Sequence, residues 1–410
     1  MSGQVLLVAA VAVPLVTVFV LALVLWSGRP LGERAVSNLV ILAAAVSAVS
    51  GLGMAVVSLV DGPIAVSLGT WFADFPLRLR ADWLSIPVAT MAALLGCLIG
   101  AFSQRYLHRD PGFRRFYLLL ALFVAAVELV VLAGTLDLLI VGWELAGLAS
   151  ALLIAFFHHR NGPVAHGLRA FITYRVSDIG LVGAAVVEHR GGSHTAVGLL
   201  LLWAVIGKSA QFPLGGWLPR AMEGPTPSSA ICYGAISVSL GPYLLLRNGI
   251  NGSAVVAVGV VTAVFATLVG RAQTDIKSTL AYASMTQIAL VLVEIGLGLE
   301  VLALVHLLAH AALRSAQILR SPSLLHDHHH LEQALNAPLP RTGKHFDWLL
   351  PRGAQAWLYR FALERGYVDA FLVDRVVGGL VRAVRGLDAA GERWVRRSST
   401  RPPAHPAVSR

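Results

Sequence analysis

Residues 201–220 read LLWAVIGKSAQFPLGGWLPR, an apolar run that reaches Lys208 and then breaks over Pro213, Leu214, Gly215 and Gly216. Lysine is scarce in this chain, with three against twenty-nine arginines, so composition alone does not account for one inside an apolar span. Pro213 removes a backbone donor and the two glycines lower helix propensity, which stops the helix within the span. Discontinuous helices with freed backbone groups near the bilayer midplane recur at the ion sites of transporters. The stretch therefore reads as one broken helix of a polytopic membrane protein.

The remaining sequence extends that reading. Of 410 residues, 56% are hydrophobic and only 13% charged, with a mean hydropathy of +0.72; a soluble domain carries about 25% charged residues. Apolar stretches near the ~20 residues that cross a bilayer recur along the first three quarters of the chain. The expected fold is all-α, with about eleven transmembrane helices at roughly 4–26, 36–60, 83–103, 114–135, 137–157, 166–188, 196–214, 226–247, 253–270, 275–296 and 300–320. The short alternating segments of a membrane β-barrel are not visible. The first span is longer than a signal-peptide core and no basic residue precedes it, so it reads as a retained helix. Cys97 and Cys232 lie in apolar spans without a spacing motif and point to neither a disulfide nor a thiolate metal site.

Loop charge sets an expected orientation. One set of loops holds Arg29, Arg34, Arg105, Arg109, Arg114, Arg115, Arg160, Arg169, Arg220, Arg271 and Lys277, and the opposite set only Arg78, Arg80, Arg190 and Arg247. Eleven against four places the N-terminus outside and the tail in the cytoplasm of a multi-pass protein of the cell (inner) membrane. Residues 1–113 then carry helices 1–3, residues 114–250 helices 4–8 and residues 251–320 helices 9–11. A polar linker over 321–351 follows, then amphipathic cytoplasmic helices over 352–397 and a disordered tail over 398–410. Residues 341–410 hold thirteen Lys/Arg against six Asp/Glu, a balance that suits an anionic membrane surface or an acidic partner. Nothing else in the chain supports nucleic acid. The run LLHDHHHLEQ, with His326, His328, His329, His330 and Asp327, lacks helical ligand spacing and cysteine, and reads as linker or docking element.

Ionisable residues inside spans cost about 2.5–3.5 kcal/mol each on insertion scales, and those that persist usually face a partner or a water-filled path. Here they are Glu144 in span 5, Arg175 and Asp178 three apart in span 6, Lys208 in span 7, and His306, His310 and Arg314 along one face of span 11. Lys, Glu and His are side chains whose protonation a buried site brings into the working range, whereas Arg stays charged. The set is material for a proton relay of Glu144, Lys208, His306 and His310, with Arg175, Asp178 and Arg314 as modulating charges. Each residue also has a packing reading. Glu144 with Arg175 is a plausible buried ion pair, the histidines are interhelical hydrogen-bonders, and Lys208 snorkels to an interface. For Glu128 and Glu294 the two readings stay level.

Five stretches in order, GWELAGLASALLIAFF, RVSDIG, KSAQFPLGGWLPRAMEGPTPSSA, QTDIKSTLAYASMTQ and HLLAHAALRS, resemble the antiporter-like proton-translocating membrane subunits of respiratory NADH dehydrogenase and of cation/proton antiporters. The resemblance covers about residues 80–320 and implies an antiporter-like fold whose proton path includes Glu144, Lys208, His306 and His310. It also implies two inverted five-helix repeats. Helices 4–8 match the first and helices 9–11 only part of the second, with Tyr233 where many relatives have histidine and Arg314 where many have lysine. Within the superfamily, GPTPSSAICYGAISV, VEIGLGLE, LRSPSLLHDHHHLEQAL and LERGYVDAFLVDRVV resemble DabB, the membrane subunit of the DAB inorganic-carbon uptake complex. That implies a DabA-like cytoplasmic partner resembling a β-carbonic anhydrase, which carries the zinc and hydrates CO2 to bicarbonate. This chain is then a transport subunit without a cofactor of its own, conducting protons or Na+. The alternatives are a subunit of a respiratory, hydrogenase or Mrp-type antiporter complex, and a membrane anchor that has lost transport.

Overall fold

The structure is a computed structural model that describes residues 3–28, 31–71, 75–273, 275–335 and 351–399, with the side chains of 322–335, 380 and 395–399 outside the description. Eleven apolar helices form the body: α1 (Gly3–Trp26), α2 (Glu33–Asp61), α3 (Ser85–Tyr106), α4 (Phe113–Leu132), α5 (Leu136–Ile154), α6 (Asn161–His189), α7 (His194–Lys208), α8 (Thr226–Arg247), α9 (Ser253–Gly270), α10 (Ile276–Gly296) and α11 (Glu300–Leu335). Ten are long and apolar enough to cross a membrane among the described residues, and α7, at 15 residues, is the short exception. Polar side chains mark several starts. Asp82 accepts from the backbone N–H of Ser85 at 3.1 Å ahead of α3, Ser193 from Ala196 at 3.2 Å in α7, and Asp275 from Ser278 at 2.8 Å in α10. Each satisfies a donor that the first helical turn leaves free.

Every residue of α8 in its apolar window is buried, whereas α1 and α9 leave most of theirs on the flank. In a bilayer such flanks are solvated by lipid, and helices associate through packing and hydrogen bonds. The core accordingly centres on α8, which packs most closely against α11, α7 and α10. Its first half is a π-helix over Ser229–Ile236 that passes into regular helix at Ser237. Single π segments inside helices are frequent at functional sites.

Four features depart from the expected layout. First, α7 ends at Lys208 itself, not at residue 214, and the chain continues as short turns over Leu214–Gly216, Trp217–Arg220 and Ala221–Glu223. The break thus begins at the lysine. Second, the all-helical reading misses a hairpin, β1 (Ile64–Trp71) with β2 (Phe75–Ala81), paired antiparallel from Ile64 opposite Ala81. Leu79 and Ala81 face inward while Arg78 and Arg80 face out, the period of two that a half-buried strand requires. Two of the four arginines on the minority side of the charge count, Arg78 and Arg80, therefore belong to a strand. Third, α11 runs on to Leu335, so the expected linker over 321–351 starts inside a helix that carries the histidine run. No Gly or strong break intervenes, and Pro322 does not end the helix. Residues 336–350 lie outside the described residues. Fourth, the amphipathic helices expected over 352–397 run slightly further: α12 (Arg352–Leu363), a turn over Arg365–Tyr367, and α13 over 368–399, which passes through Gly378 and Gly379 without a break. The tail expected to be disordered, 398–410, lies outside the described residues beyond Ser399.

Candidate functional site

Four of the expected residues converge between α5, α6 and α7. Lys208, the last residue of α7, is fully buried, and its ammonium donates to the backbone carbonyl of Trp143 at 3.0 Å. That carbonyl belongs to α5 and has a second lone pair free for a side-chain donor. The ammonium also lies 4.9 Å from the Trp143 ring centroid and 4.8 Å from that of Tyr174, an arrangement in which aromatic faces take part of the place of water. The Trp143 indole N–H in turn donates to Asp178 at 2.6 Å. Arg175 donates to the other Asp178 oxygen at 2.9 Å and pairs directly with Glu144. The spacing of Arg175 and Asp178 by three residues on α6 produces that contact.

The four charges are thus linked but not equivalent. Arg175 clasps both carboxylates, whereas the Lys208 ammonium meets a carbonyl and two rings. Gly147, one turn after Trp143, makes the room: a methyl group there would sit 3.0 Å from the Lys208 nitrogen and 3.5 Å from the Tyr174 ring. Glu144 and Arg175 keep 29% and 38% of their side chains accessible, although both stand at the middle of their helices. The cluster therefore reaches from the buried lysine to the flank of the bundle.

The histidines form a second cluster, on α11 against α10 and the π-helix. His306 bonds Glu294 through Nδ1 at 2.8 Å and Gln287 through Nε2 at 2.8 Å, which gives Glu294 a partner that sequence reading left open. His310, one turn further on, is 5% exposed, and its Nε2 is buried with no hydrogen-bond partner among the described residues. Arg314 donates to Gln317 at 2.8 Å and its aliphatic stem lies against Gly234 of the π-helix. Between the two clusters stands Tyr233, whose hydroxyl donates to the Ser150 carbonyl of α5. Its ring is 6.0 Å from that of Trp217, which is 4.9 Å from that of Tyr174. Lys208 and the histidines are therefore not in direct contact; aromatic side chains and the π-helix separate them.

Glu128 joins neither cluster. Both of its oxygens are buried in α4 with no hydrogen-bond partner among the described residues. Sequence reading also missed Trp143, Gly147 and Tyr174. Trp143 and Gly147 stand four apart on α5, a spacing that places them on one face, and this was the available signal. No group of three or more metal-ligating side chains occurs among the described residues.

On the opposite face of the bundle, Arg247 at the end of α8 donates to Asp82 at 2.6 Å and to the Ala133 carbonyl at 3.2 Å, tying the hairpin's exit to α4 and α8. Asp82 is buried, which alone would raise its carboxyl; Arg247, the Ser85 backbone N–H and Arg80 outweigh this and hold it below its ordinary 3.8.

A broken helix ending in a buried lysine, clasped carboxylates on two neighbouring helices and a histidine pair beyond a π-helix define an antiporter-like membrane subunit. Comparison with known proteins gives the family. A profile described as "NADH:quinone oxidoreductase/Mrp antiporter, TM" matches residues 133–337, and one described as "NADH-Ubiquinone oxidoreductase (complex I), chain 5 N-terminus" matches residues 69–117. The chain belongs to the NADH:quinone oxidoreductase/Mrp antiporter family. It is 37% identical over 301 residues to NADH-quinone oxidoreductase subunit L of Mycobacterium tuberculosis, covering 66% of this chain and 47% of that protein. It is 32% identical over 336 residues to NADH-ubiquinone oxidoreductase chain 5 of Allomyces macrogynus, covering 74% and 52%. The chain spans about half the length of these curated relatives. Among solved structures, the Mrp complex of a Dietzia species matches with a TM-score of 0.66 at 26% identity, over 78% of this chain and 37% of the matched one. An archaeal membrane-bound sulfane sulfur reductase shares the fold, with a TM-score of 0.63 at 19% identity over 76% of this chain and 69% of that one.

Proposed function

We propose that this chain is a proton-conducting subunit of a membrane complex, in which Glu144, Lys208, His306 and His310 carry the proton and Arg175, Asp178 and Arg314 modulate it. The observation that carries this reading is the Lys208 ammonium, fully buried and held by a carbonyl and two aromatic faces without a directly bonded carboxylate among the described residues. A lysine in a tight ion pair is fixed in one charge state, whereas one held this way can exchange a proton with a neighbour at modest cost. Arg175 holds Glu144 and Asp178 in place and supplies a fixed positive charge against which the lysine changes state. The membrane-anchor reading leaves the insertion cost of these groups unexplained.

Membership of a multi-subunit complex is supported by the flank of the cluster. Glu144 and Arg175 are partly accessible at mid-helix, where hydrocarbon solvates charge poorly, so a neighbouring membrane subunit covers them. For the host complex we favour the DAB type, with ion flow coupled to a cytoplasmic DabA-like zinc protein that hydrates CO2, the tail lying in the cytoplasm. The stretches LRSPSLLHDHHHLEQAL and LERGYVDAFLVDRVV support it. A respiratory NADH dehydrogenase or Mrp-type host is the second reading, and the similarity to an NADH-quinone oxidoreductase subunit L and to an Mrp complex favours it.

Two experiments test these readings. Lys208→Ala and Glu144→Ala should abolish proton flux in inside-out membrane vesicles while the complex still assembles; normal flux in both sinks the conduction reading. Co-purification from native membranes, with metal analysis of the partner, separates the hosts. A large zinc-containing soluble protein supports the first, and quinone-reductase or antiporter subunits the second.

A further inference from the structure

The C-terminal segment is not simply appended to the bundle; it grips the broken helix. Asp369, in the first turn of α13, donates nothing and accepts from two arginines at once. Arg220 of the Trp217–Arg220 turn bonds its Oδ2 at 2.6 Å, and Arg169 of α6 bonds its Oδ1. The same Arg220 guanidinium nitrogen donates to the Gly216 carbonyl at 2.7 Å, so the carboxylate is tied through it to the break itself. Gly216 is required for this approach, since a methyl group there would lie 2.3 Å from the Asp369 Oδ1. The preceding turn aims the carboxylate. Arg365, Gly366 and Tyr367 are left-handed in succession, with φ of 53°, 66° and 57°, a conformation that side chains other than glycine adopt reluctantly. Gly366 rests on the Phe265 ring of α9, which leaves no space for a side chain. Together, Val368 and Asp369 close over Pro213 and Gly216 of the break, with Phe265 and Tyr282 at the sides.

We infer that Asp369 is a positioning residue of the conduction path: an anionic clasp by which the tail holds the segment after Lys208 against α6 and neutralises the arginines at that mouth. This inference rests on the proton-conducting reading above. Its physical basis is charge as much as contact. Arg169 and Arg220 bond the carboxylate, and Arg365 adds a third positive charge within electrostatic reach of Arg169. Without the carboxylate, three cations crowd a mouth through which protons must pass, and like charge repels them. The break also loses its tie to α6, although Arg220 keeps its bond to Gly216.

The test uses the full complex in inside-out vesicles. Asp369→Asn should lower proton flux at least tenfold with assembly unchanged. Adding Arg169→Gln to it should recover at least half of the lost flux, because it removes one uncompensated charge and leaves the Arg220–Gly216 tie in place. Unchanged flux in Asp369→Asn overturns the inference, and so does a double variant as impaired as the single one, since the clasp would then be scaffolding only. Should Asp369→Asn fail to assemble, Gly216→Ala decides, because it displaces the carboxylate and alters no charge: a tenfold loss upholds the inference, and normal flux overturns it. Lys208→Ala is measured alongside. Normal flux there fails the conduction reading, whereas a dead Lys208→Ala beside a normal Asp369→Asn fails the clasp alone.

Discussion

Gly147→Ala is the smallest change that reaches the lysine. The added methyl lies 3.0 Å from the Lys208 nitrogen, 3.5 Å from the Tyr174 ring and 3.7 Å from an Arg175 nitrogen. The first of these is tighter than ordinary carbon contacts, so the ammonium gives way by a few tenths of an ångström. It cannot retreat freely, being held by the Trp143 carbonyl at 3.0 Å and enclosed by two rings within 5 Å. Overpacking of this kind costs about 1–3 kcal/mol. If that cost falls on the charged form of the lysine, which the displaced bond stabilised, the step that recharges it slows roughly fivefold to 150-fold. Helix propensity works the other way, since Ala is favoured over Gly within α5 by about 1 kcal/mol, so the helix itself should not suffer. The assay is initial proton flux in inside-out vesicles, normalised to assembled complex, beside a thermal melt in detergent. Flux within twofold of the parent, at equal assembly, would refute the argument that the Lys208 cradle governs conduction.

Three further outcomes follow from the same geometry. Arg247→Ala leaves the buried Asp82 carboxylate with the Ser85 and Leu84 backbone N–H groups and the exposed Arg80, and should lower stability by about 1.5–3 kcal/mol, seen as a clear drop in the melting midpoint; an unchanged midpoint would show the pair to be dispensable. Because Asp82 is held below its ordinary 3.8 in the folded chain, its contribution is complete above that value and is lost as pH falls through the lowered one. Melts of the parent between pH 6 and pH 3 should therefore fall more steeply than those of Asp82→Asn, and parallel curves contradict this. Glu128→Leu replaces an unpartnered buried carboxyl with an apolar group and should raise the melting midpoint without changing flux; lost flux would place Glu128 in the path.

Much of the protein is legible in its sequence because a bilayer imposes simple rules. Backbone groups cannot be left unpaired in hydrocarbon, so apolar runs of the right length become helices, and most of the expected boundaries lie within a few residues of those observed. The hairpin at 64–81 escaped because a period-two pattern seven residues long is weak beside spans of twenty, although FPLRLRA displays it. The break was placed five residues late for another reason. Pro213 and the glycines mark where a helix cannot continue, whereas α7 stops at Lys208, and the Ser209 and Gln211 backbone N–H groups bond back to Val205 and Ile206 there.

The candidate site divides the same way. Sequence alone determined which ionisable residues lie within spans, because each is conspicuous against apolar neighbours and costs free energy to insert. It also paired Arg175 with Asp178, since a spacing of three on one helix needs no other element. Only the tertiary structure decided that Lys208 meets Trp143 and not a carboxylate, that Glu294 belongs to His306, and that Glu128 belongs to neither cluster. It alone brought Asp369, 149 residues from Arg220, against the break. Hydropathy sorts residues by depth, but rotation about each helix axis and the crossing of helices are set by packing, and no local pattern encodes which distant polar group waits on the facing side.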